Sequence, residues 1–122
     1  MPAQEQMKKA LQTYIDSFDA GDAATIAELF ADDAVIEDPV GKPQISGRPA
    51  IDEFYAKAIS AGTKLTLDGP IRGSHGNGAA MALTIEVPAM NLRIRAIDAM
   101  TFNEDGKIVE MRAYWGPDDF EK

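Results

Sequence analysis

The sequence predicts an α+β fold in which three N-terminal helices precede a mostly antiparallel sheet. Two observations support this prediction. Apolar residues recur at helical spacing over much of residues 3–61, and the period then shortens from about 3.6 residues to 2. Short segments rich in Gly, Pro, Asn and Asp separate the periodic runs. The 122 residues, 1–122, are expected to form a single domain, with the sheet curved over the helices as a cone.

The first helix is predicted over residues 3–20, where one face is apolar. That face comprises Met7, Ala10, Leu11, Tyr14, Ile15 and Phe18. Gly21 is a typical residue for ending a helix, and Asp22 can cap the next one. A short second helix is therefore predicted over residues 23–31, with Ile26, Leu29 and Phe30 on one side.

A short strand is predicted over residues 34–38, after a turn at residues 32–33. Pro39 stops this strand because it lacks a backbone N–H. The following residues, 39–47, contain two prolines and two glycines and are predicted to be a loop. The third helix is predicted over residues 48–61, with Ile51, Phe54, Tyr55, Ala58 and Ile59 facing inward.

The sheet is predicted from residue 64 onward. A strand over residues 64–72 leads into the turn GSHGNG at 73–78, and the next strand alternates cleanly. Its apolar positions are Met81, Leu83, Ile85 and Val87. A turn is predicted at residues 88–91, before the strand containing RAIDAM, and residues 103–106 are predicted to form a hairpin turn. The last strand is expected to place Val109, Met111, Ala113 and Trp115 on one face.

Composition argues against several classes of partner. Twenty acidic residues against twelve Lys and Arg give a net charge of −8, which disfavours nucleic acids and anionic membranes. The chain has no cysteine and a single histidine, His75, so neither a disulfide framework nor a sulfur- or histidine-based metal site is expected. No apolar run is long enough to span a membrane, and the first residues lack the apolar core of a signal peptide, which together predict a cytoplasmic protein.

The most informative residue is Asp98 in RAIDAM. It stands in the apolar row of its strand, with Leu92, Ile94, Ala96, Met100 and Phe102, while Arg93, Arg95 and Ile97 occupy the other face. Burial would keep this carboxyl neutral and make it a hydrogen-bond donor. A bulge that turns Asp98 to solvent, or a structural ion pair with Arg95, explains the pattern equally well. The functional interpretation and these structural ones all remain open from the pattern alone.

Two further residues are candidates for chemistry, each with a plain structural alternative. Tyr14 lies on the apolar face of the first helix and could be a core tyrosine, or it could join Asp98 as a second donor at one oxyanion. Asp38 precedes Pro39 at a strand end and could form an ordinary turn or act as a general base. The segment GSHGNG is followed by a strand, where a phosphate-binding loop requires a helix, so a turn is expected.

Three segments together resemble the bacterial Δ5-3-ketosteroid isomerases. The N-terminal segment runs from YIDSFDAGDAATIAELFADDAVIEDPVG to GRPAIDEFYAKAI, and the others are IRGSHGNGAAMAL and AIDAMTFNEDGKIVEMRAYWG. The resemblance covers about residues 10–117, and FADDAVIEDPVG is its most specific part. It implies the cone-shaped α+β barrel shared with nuclear transport factor 2 and scytalone dehydratase, and a homodimer that uses the outer face of the sheet.

The resemblance also implies roles for individual residues. Asp38 corresponds to the general base, Tyr14 and Asp98 to the two oxyanion-hole donors, and Tyr55 to a tyrosine that hydrogen-bonds the oxyanion tyrosine. The reaction moves the double bond of a 3-ketosteroid from C5=C6 to C4=C5 through a dienolate, and it needs no cofactor and no metal. The ligand is therefore a small apolar molecule. Residues expected to line its pocket are Phe18, Phe54, Tyr55, Met81, Leu83, Met100, Ala113 and Trp115.

Two departures from the family and three rival functions bear on this prediction. Position 30 is Phe where some members have a further tyrosine, and the turn at residues 88–92 is short. A non-catalytic binding domain in the same cone would not need Tyr14, Asp38 and Asp98 together. Dehydratases, cyclases and epoxide hydrolases of this fold often use histidines or an Asp-Arg-Asp network, and an isomerase of another enone remains open.

Overall fold

The computed structural model describes residues 2–121 and has the predicted α+β architecture. Its helices are α1 (Gln4–Ala20), α2 (Ala23–Glu28) and α3 (Arg48–Ser60). Gly21 ends α1 in the left-handed conformation, with φ of 69°. Asp22 caps α2, because its carboxylate accepts a hydrogen bond from the Thr25 N–H at 3.1 Å. Both helix boundaries expected at this point in the sequence are therefore confirmed.

Seven strands form one curled, unclosed sheet against the helices. They are β1 (Phe30–Glu37), β2 (Ile45–Ser46), β3 (Lys64–Leu67), β4 (Gly78–Val87), β5 (Leu92–Phe102), β6 (Ile108–Tyr114) and β7 (Phe120–Glu121). The strand order is β2-β1-β6-β5-β4-β3, and β7 pairs with β5. All pairs are antiparallel except β1 with β6. Two 3₁₀ turns, Pro88–Met90 and Pro117–Asp119, complete the described elements.

The second helix and the first strand differ from the prediction. The helix ends at Glu28, and β1 starts at Phe30 and continues through the acidic pair predicted as a turn. Both Asp32 and Asp33 are exposed, so they are solvated without breaking the strand. The pairing of β1 with β6 shifts register between Phe30 and Val35, which accommodates this irregular stretch.

Two other segments also differ. The strand predicted over residues 64–72 ends at Leu67, because Gly69 and Pro70 interrupt the ladder before Arg72 pairs again with Ala80. The predicted loop over residues 39–47 contains the two-residue strand β2, which pairs with β1.

A β-bulge changes which apolar residue of β6 is buried. Phe102 pairs with Ile108, whereas Thr101 pairs with Glu110, so β6 contains one extra residue between them. The sequence predicts Val109 on the inner face, but Ile108 is fully buried and Val109 is only partly buried. Beyond the bulge the inner face continues as predicted, with Met111 and Ala113 fully buried.

The core lies between the inner face of the sheet and the apolar faces of α1 and α3. On β5 the alternation is as predicted, with Ile94, Ala96, Asp98, Met100 and Phe102 all buried. Within residues 2–121, no helix is both long enough and apolar enough to cross a membrane. The sheet therefore presents one aspartate among apolar side chains to the space beneath the helices.

Candidate active site

Asp98 is the buried polar residue on the inner face of β5. It pairs with Met81 of β4 and Ala113 of β6, two buried apolar neighbours, and only 3% of its surface is exposed. The strand therefore does not turn it to solvent. Its atom Oδ1 is buried and has no hydrogen-bond partner within residues 2–121. An unsatisfied buried oxygen costs about 1–3 kcal/mol and is rare in native proteins, so its presence on this face calls for an explanation.

Burial also sets the protonation state of Asp98. Removal of water from around the carboxyl, and secondarily the negative charge of Asp38, raise the pKa of Asp98 from 3.8 to about 8. The carboxyl is therefore largely protonated at neutral pH and can donate a hydrogen bond. No cation pairs with it in the described part of the chain, so the ion pair with Arg95 considered from the sequence is absent. Arg95 lies on the outer face and contacts Asp68 and Glu121.

Tyr14 of α1 and Tyr55 of α3 form a hydrogen-bonded pair. Their hydroxyl oxygens lie 3.0 Å apart, and either can be the donor. When Tyr55 donates, the proton of Tyr14 is free to point toward a ligand. Burial, followed by the charges of its neighbours, raises the pKa of Tyr14 well above its ordinary value, so this hydroxyl stays protonated. The partnership expected for Tyr55 is therefore present.

The tyrosine pair is held by aromatic packing. The Tyr14 ring lies 5.2 Å from Phe18, and the Tyr55 ring lies 5.0 Å from Phe54, measured between centroids. Phe30 is buried and packs on Tyr55 at 5.5 Å. With phenylalanine at position 30, Tyr55 has no second phenolic neighbour there. Tyr14 is the only hydrogen-bond partner of its hydroxyl within residues 2–121.

Asp38 lies directly after β1 and is fixed from β6. The parallel pairing of Glu37 with Arg112 brings the end of β1 beside the end of β6. There, the indole N–H of Trp115 donates to Asp38 Oδ1 at 2.8 Å. Burial raises the pKa of Asp38, and the bond from Trp115 lowers it again in part. The carboxyl group of Asp38 is thus held in place and partly shielded from water.

The hydrogen bond from Trp115 to Asp38 is the feature of the site that the sequence did not predict. Trp115 was expected to be a pocket wall, and no local pattern links two residues 77 positions apart. The available signal was its place at the end of the inward row of β6, close to where β1 must pair.

Tyr14, Asp38 and Asp98 line one pocket of about 160 Å³. Its other lining residues are Phe18, Phe54, Ala58, Thr63, Leu65, Ile85, Val87, Ile94 and Trp115. This volume is below the roughly 300–1,000 Å³ usual for small-molecule sites. The wall is apolar apart from the side chains of Tyr14, Asp38, Asp98 and Thr63 and the indole N–H of Trp115.

The wall predicted from sequence needs correction. Phe18, Phe54 and Trp115 line the pocket as expected, but five other residues do not: Tyr55, Met81, Leu83, Met100 and Ala113. They face inward, yet each is at most 2% exposed, because they fill the closed end of the core behind the pocket surface. Their places on the wall are taken by residues nearer the ends of β3, β4 and β5.

Other sequence features lie outside the pocket. His75 is exposed, and its segment is a turn as predicted, closed by the Ser74 hydroxyl donating to Gly78 O at 2.7 Å. The pocket lining includes neither arginine nor histidine. Within residues 2–121, no three or more His, Cys, Asp or Glu side chains are grouped so as to hold a metal ion.

Comparison with known proteins places the chain in a family. The family model of the SnoaL-like domain matches residues 11–111. The chain is similar to the steroid Δ-isomerase of Nocardioides simplex, with 39% identity over 115 residues that cover 93% of each chain. It is also 30% identical to the epoxide hydrolase LasB of Streptomyces lasalocidi, over 98% of this chain and 44% of that protein.

A solved structure shares the whole fold. The epoxide hydrolase/cyclase-like enzyme SalBIII, which has a role in pyran ring formation in the polyether salinomycin, superposes with a TM-score of 0.90. The two chains are 31% identical, and the match covers 98% of each.

Proposed function

Because the chain belongs to the SnoaL-like domain family, and its pocket unites a buried neutral acid with a second carboxylate, we propose that it is a steroid Δ-isomerase. The enzyme moves the C5=C6 double bond of a 3-ketosteroid to C4=C5 without a cofactor. The observation that supports this most strongly is the environment of Asp98, whose pKa of about 8 keeps it protonated beside Tyr14. A neutral carboxylic acid as oxyanion donor is the arrangement for which ketosteroid isomerases are themselves the known example.

The proposed reaction has two proton transfers through one base. Ionised Asp38 removes a proton from C4, the carbon between the ketone and the alkene. The electrons shift to the carbonyl oxygen and form a dienolate, which accepts hydrogen bonds from Tyr14 and Asp98. Asp38 then returns the proton to C6, two carbons further along, and the carbonyl reforms. One carboxylate acts as base and then as acid, so atoms and charge balance without another reactant.

The surroundings of each group support its proposed role. The hydrogen bond from Trp115 stabilises the ionised form of Asp38 and orients its second oxygen. The apolar wall excludes water and keeps Asp98 neutral. Tyr55 fixes the hydroxyl of Tyr14. In the proposed mechanism the two aspartates hold opposite protonation states in one pocket, Asp38 as the ionised base and Asp98 as the neutral donor.

Epoxide opening, suggested by the names of two relatives, is a weaker candidate. A neutral Asp98 could protonate an epoxide oxygen while Asp38 takes a proton from the attacking hydroxyl. However, the Asp-Arg-Asp network expected for such hydrolases has no counterpart, since the pocket lining contains no arginine. The donor pair facing a single base therefore favours isomerisation.

A direct assay tests the proposal. The purified protein is expected to convert a Δ5-3-ketosteroid to its conjugated isomer without added cofactor, followed by the ultraviolet absorbance of the new enone. A folded protein that produces no absorbance above the buffer rate contradicts the proposed function. A cytoplasmic location and a single domain remain predictions from the sequence.

We further propose that the protein is a homodimer that uses the outer face of the sheet. Ile97 of β5 and Tyr114 of β6 form a cross-strand pair on that face and are 50% and 46% exposed. Arg93 and Arg95 are engaged within the chain by Glu86, Glu121 and Asp68. The guanidinium of Arg112 lies over the Tyr114 ring, 5.8 Å from its centroid, so Ile97 is the apolar side chain on which the proposed interface depends most.

The dimer proposal predicts twice the chain mass by light scattering. Ile97→Lys is expected to shift the protein toward monomer, because a charge at a buried interface is costly. Met90→Lys is the matched control, since Met90 is also an exposed apolar residue, at 66%, but lies in the 3₁₀ turn between β4 and β5 and not on a strand of the sheet. A wild-type protein that stays monomeric at all accessible concentrations contradicts the proposal.

A further inference from the structure

Thr63 is a polar pocket residue that the proposed mechanism does not use. It follows α3 directly before β3, is 8% exposed, and lies on the pocket wall. Its backbone N–H donates to Ala58 O at 3.2 Å, but its hydroxyl has no hydrogen-bond partner within residues 2–121. The hydroxyl oxygen is not among the fully buried atoms that lack a partner, so it is open to the pocket that Thr63 lines. A ligand that displaces water from this hydroxyl must offer it a hydrogen bond in return, or binding is weakened.

The sheet register places Thr63 far from the oxyanion donors. Continuing the pairing of β3 with β4 brings Thr63 beside Val87. Asp98 pairs with Met81, which lies on the same strand as Val87. The strand from Met81 to Val87 covers roughly 20 Å before curvature shortens the path. Thr63 and Asp98 therefore mark the two ends of the pocket.

The wall between these ends offers no other hydrogen-bonding side chain on the strands or on α3. Leu65, Ile85 and Ile94 line the strand side, and Phe54 and Ala58 line the helix side. A ligand that reaches from Asp98 to Thr63 must therefore be long and apolar in its middle. It can satisfy the Thr63 hydroxyl only with a polar atom at its far end.

We propose that Thr63 is a specificity-determining residue that hydrogen-bonds an oxygen at the end of the steroid opposite the reacting ketone. This inference rests on the proposed isomerase function. A threonine hydroxyl can donate to a ketone or accept from a hydroxyl, so it recognises either group. The preferred substrates are then 3-ketosteroids that carry a ketone or hydroxyl on the terminal five-membered ring.

Two Δ5-3-ketosteroids that differ only at that ring test the proposal, one with a ketone and one with a methylene group. The wild-type enzyme is expected to show a lower KM for the ketone. Thr63→Val replaces the hydroxyl with a methyl group of similar size. It is expected to reduce the KM preference about 2- to 10-fold, the usual range for one net hydrogen bond, with little change in kcat.

Control variants separate recognition from packing. Thr63→Ser keeps the hydroxyl and is expected to keep the preference. Thr66→Val makes the same chemical change at an exposed position of β3 and should leave the preference unchanged. Circular dichroism checks folding, and Thr63→Ala replaces the valine variant if that one does not fold. A wild-type enzyme without preference, or a preference equal in Thr63→Val and wild type, overturns the proposal.

Binding measurements keep this test distinct from that of the proposed function. If the wild-type protein turns over neither steroid, the isomerase function fails. The affinities for the two steroids can still be measured by quenching of Trp115 fluorescence, since Trp115 is the sole tryptophan and lines the pocket. A Thr63-dependent difference in affinity supports the recognition role. Equal affinities, or no binding of either steroid, overturn it.

Discussion

Asp38→Asn is expected to abolish nearly all isomerase turnover, with a loss in kcat of about 10²- to 10⁴-fold, the usual contribution of a positioned base. Asparagine is almost isosteric, but it cannot accept a proton at any useful pH. The proton at C4 then has no acceptor. The measurement is the rate of enone formation from a Δ5-3-ketosteroid by purified wild-type and variant proteins.

Measuring ligand affinity distinguishes a loss of the proton-transfer step from a loss of substrate binding. A phenolic steroid, which resembles the dienolate, is expected to bind Asp38→Asn as tightly as wild type or more tightly, because a nearby negative charge is gone. Asp33→Asn is the matched control: it makes the same change on β1 at an exposed side chain, and it should retain full turnover. An Asp38→Asn enzyme with more than a tenth of wild-type activity contradicts the base assignment.

Substitutions of Asp98 are expected to have graded effects that depend on the donor that remains. Asp98→Asn retains an N–H donor and should keep part of the activity. Asp98→Leu has no donor and should lose about 10²- to 10³-fold in kcat, as for one missing oxyanion contact. If a folded Asp98→Asn variant were as inactive as Asp38→Asn, Asp98 would be acting as a charged group.

The pH dependence of protein stability is an independent test of the protonation state of Asp98. The folded-state pKa of Asp98 is about 8, above the ordinary 3.8, so the folded protein holds a proton that the unfolded chain releases. The free energy of unfolding therefore falls as pH rises from about 4 to about 8. Asparagine is neutral throughout this window. Asp98→Asn is thus expected to raise the melting temperature at neutral pH while it lowers activity.

The elements that the sequence predicted well are those with a long, regular period. The apolar face of α1 and the alternation on β5 were sufficient to place Tyr14 and Asp98 on inward surfaces. The predicted turn at Asp32 was wrong because an exposed aspartate is tolerated at an irregular strand pairing. The position of Ile108 was missed because a bulge leaves no mark in the apolar pattern.

The pocket wall was less predictable than the positions of Tyr14, Asp38 and Asp98. Alternation along a strand indicates the face of a side chain but not its depth in a curled sheet. Leu83 and Ile85 share one face, yet Leu83 is fully buried and Ile85 lines the pocket. The bond from Trp115 to Asp38 depends on a parallel pairing between distant strands, which no local spacing encodes.

The pH dependence of kcat/KM in wild type and Asp98→Asn tests the central claim most directly, that Asp98 acts as a neutral donor beside an ionised Asp38. Measured from about pH 5 to pH 10, this parameter reports the ionisations of the free enzyme. The wild-type value is expected to fall above about pH 8, where Asp98 loses its proton, and this fall should be absent in Asp98→Asn. An alkaline fall that is the same in both proteins would contradict the account.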